Sequence, residues 1–191
     1  MGSMRGWMLA MLMFAGMSAV AQSPEIWNQV NPQIDLPQLP SVTPSDTQLK
    51  AIAALLRRVD KKDIWECEGN DRDEMIKGLT FQAIPLAPEH KVLLAQAGEG
   101  CARGGQGSNG AMWLIRFKGG VPILMASPQR GFNGWLYAIQ ASASHGYRDI
   151  VLGWHMGADE AVLNYFRFDG KSYVAIGSAT NTEGKIVPGV Q

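Results

Sequence analysis

The chain has 191 residues, 46% of them apolar and 18% charged, with 17 basic residues against 17 acidic. Such a composition builds one packed domain with extensions and excludes global disorder. Balanced charge excludes the basic excess of a nucleic-acid binder and the acidic excess of a solvating tail.

Arg5 is the only charge before Glu25. An apolar centre, Trp7-Met8-Leu9-Ala10-Met11-Leu12-Met13-Phe14, leads to Ala19-Val20-Ala21, a small-x-small site ahead of Gln22. A positive start, an apolar middle and a small-residue exit predict a secretory signal peptide over residues 1–21. An uncleaved anchor is the alternative. The strongly apolar run is shorter than the ~20 residues that a spanning helix needs, and Gly16 and Ser18 interrupt it. The mature chain is therefore expected in the periplasm or outside the cell, with no membrane attachment after cleavage.

Residues 22–44 contain Pro24, Pro32, Pro37, Pro40 and Pro44. Proline removes backbone donors and opposes both helix and central strand, so this stretch is expected to be an extended arm or linker. A helix is predicted over residues 46–60. Ser45 and Gln48 have the spacing of a capping box, and Leu49, Ile52, Ala53, Leu56 and Val59 share one face. Arg57, Arg58, Lys61 and Lys62 suit its C-terminal end. Residues 63–78 are mixed and polar, and are expected to form an irregular connector with Trp65 as its anchor.

From residue 79 the pattern changes to short apolar runs punctuated by Gly, Pro and Asp. Twenty-two glycines favour turns and bulges between such runs. Arg116-Phe117-Lys118-Gly119 recurs as Arg167-Phe168-Asp169-Gly170. Upstream, Phe81-Gln82-Ala83-Ile84 matches Leu136-Tyr137-Ala138-Ile139, and Val92-Leu93-Leu94 matches Ile150-Val151-Leu152. Each unit, about 79–127 and 132–178, reads as four strands in succession. Phe168-Asp169-Gly170-Lys171-Ser172-Tyr173 gives the stronger hairpin signal, and Gly119-Gly120 the weaker one. The expected fold is mainly β within the α+β class. Duplicated four-stranded antiparallel meanders form a sandwich or a continuous sheet, with one N-terminal helix beside it.

Gly146-Tyr147-Arg148-Asp149-Ile150-Val151-Leu152, followed by Phe168-Asp169-Gly170, resembles the blades of FG-GAP or VCBS repeats in exported bacterial β-propellers and adhesins. The resemblance covers residues 132–178, and more faintly 79–127, and implies a secreted β-meander. Where those blades carry an Asp-x-Asp-x-Asp-Gly calcium loop, this chain has Ala141-Ser142-Ala143-Ser144-His145-Gly146. No calcium site is carried over, and two units are too few to close a propeller.

Cys67 and Cys101 are the only cysteines. In an exported chain such a pair predicts one disulfide. The competing reading makes Cys101 a nucleophile in its glycine-rich setting, with His145 or His155 as base. Residues 98–110 hold six glycines but lack the Gly-Lys-Ser/Thr end of a phosphate-binding loop, so no cofactor is expected. This long loop is the predicted binding surface, with Arg103, Gln106, Ser108 and Asn109 as its polar contacts. His145, Asp149, His155, Asp159 and Glu160 have no paired metal-ligand spacing, and no metal site is predicted. His155 is read as a strand end, and Asp159-Glu160 as turn residues. Trp113, Trp135, Trp154, Tyr137, Tyr165 and Phe166 are read mainly as core. No catalytic constellation is evident. The chain is thus read as an exported non-catalytic binding module for a protein or cell-envelope ligand, with no nucleic-acid partner. A periplasmic enzyme inhibitor is the first alternative, and a cysteine-dependent envelope hydrolase the second.

Overall fold

A computed structural model describes residues 25–30, 38–59, 70–98, 102 and 109–189. The signal segment, Trp65, Cys67 and Cys101 lie outside the described residues.

Among the described residues three α-helices occur rather than one. The expected helix is α2, Asp46–Val59. Its capping box forms as the spacing requires: the Ser45 amide donates to Gln48 Oε1 at 2.9 Å, and the Gln48 amide to Ser45 Oγ at 3.3 Å. Ile52, Leu55 and Leu56 are the residues it buries. Leu49, expected on that face, lies in the first turn of the helix and is 37% exposed. The other two helices correct the sequence reading. A single turn, α1 (Glu25–Asn28), forms in the proline-rich arm, with Glu25 at its N-terminal end, where a negative charge is favoured. The supposed connector contains α3, Asn70–Lys77. Met75 and Ile76 anchor α3 in the core. An Arg57–Asp73 ion pair of 2.8 Å ties it to α2. Among the described residues no helix is long and apolar enough to cross a membrane.

Nine antiparallel strands follow: β1 (Leu79–Ile84), β2 (Val92–Ala97), β3 (Gly110–Lys118), β4 (Val121–Ala126), β5 (Asn133–Ser144), β6 (Tyr147–His155), β7 (Glu160–Phe168), β8 (Tyr173–Thr182) and β9 (Lys185–Pro188). The hydrogen-bonded path runs β1-β2-β3-β5-β6-β7-β8-β9, and β4 pairs with β3 off that path. Two meanders are present in the order expected from the sequence, β1–β4 with four strands and β5–β9 with five, one more than expected. They join where Gly110 pairs with Gly134 and Ala111 with Asn133. The arm adds to the far edge, where Val42 donates to the Phe81 carbonyl and Ala83 to that of Pro40.

Period-two alternation divides the apolar residues among three clusters. Val92, Leu94, Met112 and Leu114 of the first meander share one cluster with Leu136, Ile150, Leu152 and Phe166 of the second. The continuous sheet therefore bends until its two halves bury one face against each other. The opposite face of the first half, with Leu93, Trp113 and Ile115, packs on α2 and α3. The opposite face of the second half, with Val151, Leu163 and Tyr165, receives Trp27 from the arm. Each large aliphatic side chain buried this way contributes ~1.5–3 kcal/mol.

The repeat holds for strand order but not throughout for orientation. Ile150 and Leu152 point into the shared core, as do their counterparts Val92 and Leu94. Phe168 also points there, whereas Phe117 packs on the helix side of the other half. The pairing explains this: Val92 opposes Arg116, but Ile150 opposes Phe166. One residue of register offset turns a strand over. The hairpins also exchange rank. Gly119 and Gly120, with φ of 57° and 80°, form the tight two-residue turn with both central residues left-handed. Asp169-Gly170-Lys171-Ser172 is a four-residue loop, held by the Asp169 carboxylate accepting from the amides of Lys171 and Ser172.

Candidate functional site

Of the predicted contact residues, Arg103, Gln106 and Ser108 lie outside the described residues, as does the Cys67–Cys101 pair. Asn109 is described, and it does not hang free at a loop tip. Its side-chain amide donates to the His155 carbonyl at 3.1 Å, and its Oδ1 accepts from the His155 amide at 2.9 Å. The side chain thus acts as one more rung of a strand, and it pins the end of the 98–110 loop to the end of β6. Ala102 gives the same loop a second anchor. It is fully buried and accepts from the Ala111 amide at 2.9 Å.

His155 ends β6, as its position in the sequence suggested. Its ring stacks on Trp135 with centroids 3.9 Å apart and planes 18° from parallel. Trp135 pairs across the strands with Gly153. A Cβ there would stand 2.4 Å from the indole, so glycine is what lets the indole lie across β6. Met156, the next residue after His155, is 62% exposed. The loop anchor, the stacked pair and Met156 therefore occupy one end of the second meander.

The remaining candidates separate. His145 lies in the β5–β6 turn and His155 at the far end of β6. Asp149 is fully buried between them. Its Oδ2 accepts from Ser142 Oγ at 2.9 Å, Tyr165 OH at 3.2 Å and Arg167 Nη2 at 3.0 Å. Among the described residues no three His, Cys, Asp or Glu side chains come together to hold a metal. Trp113 and Phe166 belong to the core.

The segment that carries the blade resemblance has a structural reason at nearly every position. Tyr147 packs on Phe168 and His90 and accepts from Arg116 Nη1 at 2.9 Å. Arg148 Nε donates to the Gln140 carbonyl, beside the irregular stretch of β5 between Ile139 and Ala143. Ile150, Val151 and Leu152 supply core. The Asp149 network escaped sequence reasoning. Its signal was present as an acid and a base, Asp149 and Arg167, each next to an apolar run of its strand.

Burial raises the hydroxyl pKa of Tyr173, Tyr165 and Tyr137 above the ordinary value. The amides of Ser172 and Lys171 hold the Asp169 carboxyl below the usual range.

No family model, no curated protein and no solved structure matches the chain.

Proposed function

We propose that this chain is an exported, non-catalytic binding module of the bacterial cell envelope, which engages a protein or envelope ligand with its 98–110 loop and the adjoining Trp135–His155 edge. One observation carries the reading: the paired bonds from Asn109 to the His155 backbone. They fix the end of a long glycine-rich loop beside an aromatic stack. Loops of this length in compact domains tend to carry function, and aromatic faces bind sugars and peptides. The export-type N-terminal segment supports a location in the envelope. The buried carboxylate of Asp149 fits this reading too, since its donors and its counter-ion lie within the sheet and leave it poorly placed to act on a substrate.

The test is photo-crosslinking in cells. A benzophenone amino acid at position 106 or 156 is expected to trap a discrete adduct in the envelope fraction, and the same group at position 185 to trap none. Purified mature protein is also tested for co-sedimentation with peptidoglycan sacculi, with Trp135→Ala as the weakened variant. Absence of adducts from both loop-side positions, together with no retention by sacculi, overturns the proposal. Processing before Gln22 is checked separately by N-terminal sequencing.

A further inference from the structure

A cavity of about 230 Å³ opens between the end of α2, the end of β4 and the β7–β8 loop. Its lining includes Arg130, Lys171, Ser127 and Ser172, with Val59 and Leu124 on the apolar side, and, among the described residues, no carboxylate. Arg130 follows β4 in a single 3₁₀ turn, Pro128–Arg130. Lys171 and Ser172 belong to the loop that Asp169 holds in shape. The wall therefore comes from both meanders.

The polar groups are prepared to donate. Arg130 Nη1 donates to Ser172 Oγ, which leaves the hydrogen of that hydroxyl available and four guanidinium N–H groups over. Ser127 is 5% exposed, and its hydroxyl does not cap the turn that it precedes. Neither Arg130 nor Lys171 is within ion-pair distance of a carboxylate among the described residues. Asp169, two residues before Lys171, spends one oxygen on two backbone amides, and Arg130 is close enough to act on its charge.

From this cavity we propose a second binding site, for a small organic oxyanion: a carboxylate or phosphate monoester with a short apolar body. Lys171 and Arg130 supply the counter-charge, and the Ser127 and Ser172 hydroxyls donate to the remaining oxygens. Val59 and Leu124 cover the apolar part. The volume falls below the range of drug-sized pockets, so the ligand is the size of an amino acid or a single sugar ring. This site goes beyond the loop surface proposed above. Lys171 lies past the end of β7, whereas His155 pairs with Ala161 at its start, so the two sites occupy opposite ends of that strand.

The probes are succinate, glycerol 3-phosphate and inorganic phosphate, with glycerol as the uncharged control, each titrated into the full mature chain and followed by backbone amide NMR. Saturable shifts at Ser127, Arg130, Lys171 and Ser172 are expected from at least one anion, and none from glycerol. Succinate and glycerol 3-phosphate separate the carboxylate source from the phosphate source. Lys171→Met changes only an exposed side chain, and it is expected to weaken binding about tenfold or more. Arg130→Met, checked for an unchanged melting temperature, is expected to do the same. Shifts that never saturate, or that persist unaltered in Lys171→Met, overturn the site. Neither outcome touches the crosslinks expected from positions 106 and 156.

Discussion

Asp149 and Arg167 meet across β6 and β7 at 3.0 Å, the carboxylate wholly buried and 41% of the arginine side chain in solvent. Their removal should be unequal. Arg167→Ala leaves a buried anion with only Ser142 and Tyr165 to serve it. Asp149→Asn leaves a guanidinium that can turn to water. Arg167→Ala is expected to lower stability by roughly 2–3 kcal/mol, between the values for exposed and buried pairs. Asp149→Asn should lower it by clearly less. Urea unfolding of the two variants decides this, and equal losses would contradict it.

Gly134 and Gly153 are where backbone and indole come closest. Gly134 has φ of +100°, and a Cβ there would meet the Gly153 carbonyl oxygen. Gly134→Ala is expected to destabilise by more than about 3 kcal/mol, because strain and overpacking add. Gly153→Ala instead pushes on the Trp135 ring. Its expected mark is a shift in tryptophan emission together with loss of the stack on His155, read by NMR ring-current shifts.

Asn109→Ala removes both rungs to His155. Two exchanged hydrogen bonds at a partly exposed site contribute ~1–2 kcal/mol together. The loss should appear first as faster hydrogen exchange at the His155 amide, with exchange in β1 and β2 unchanged.

Alkaline pH should weaken the fold. Burial raises the hydroxyl pKa of Tyr173, Tyr165 and Tyr137 above the ordinary 10.0. A folded-state pKa above the unfolded one means stability that is complete below about pH 10 and is lost as pH rises further. Denaturant midpoints should therefore hold steady up to that point and fall beyond it. Tyr173→Phe should flatten the fall, although it also gives up the bond from the Tyr173 hydroxyl to the Arg148 carbonyl.

The parts of the fold that showed in the sequence are those in which local chemistry and burial agree. The Ser45–Gln48 box marks the start of α2, and the alternating apolar runs mark eight strands in their right order. The rest depended on partners that the sequence does not place side by side. α3 carries few apolar residues and is helical because Met75 and Ile76 find a core to enter. Five prolines masked the fact that Trp27 has an aromatic partner, with its ring 5.8 Å from that of Tyr165. The flip between Phe117 and Phe168 follows from a register offset that sequence similarity cannot reveal. At the candidate site, the loop was visible from its glycines, but its attachment was not. Asn109 and His155 are far apart in the chain, and neither announces the other.

Apart from the short junction of β3 with β5, every strand pairs with its immediate neighbour in the chain. Contact order is consequently low for a mainly β protein, and loop-closure entropy stays small at each step except across residues 98–109. Topologies of this kind fold quickly for their class. The sheet can grow strand by strand in the order in which the polypeptide emerges from a ribosome, each new hairpin adding to an edge already in place.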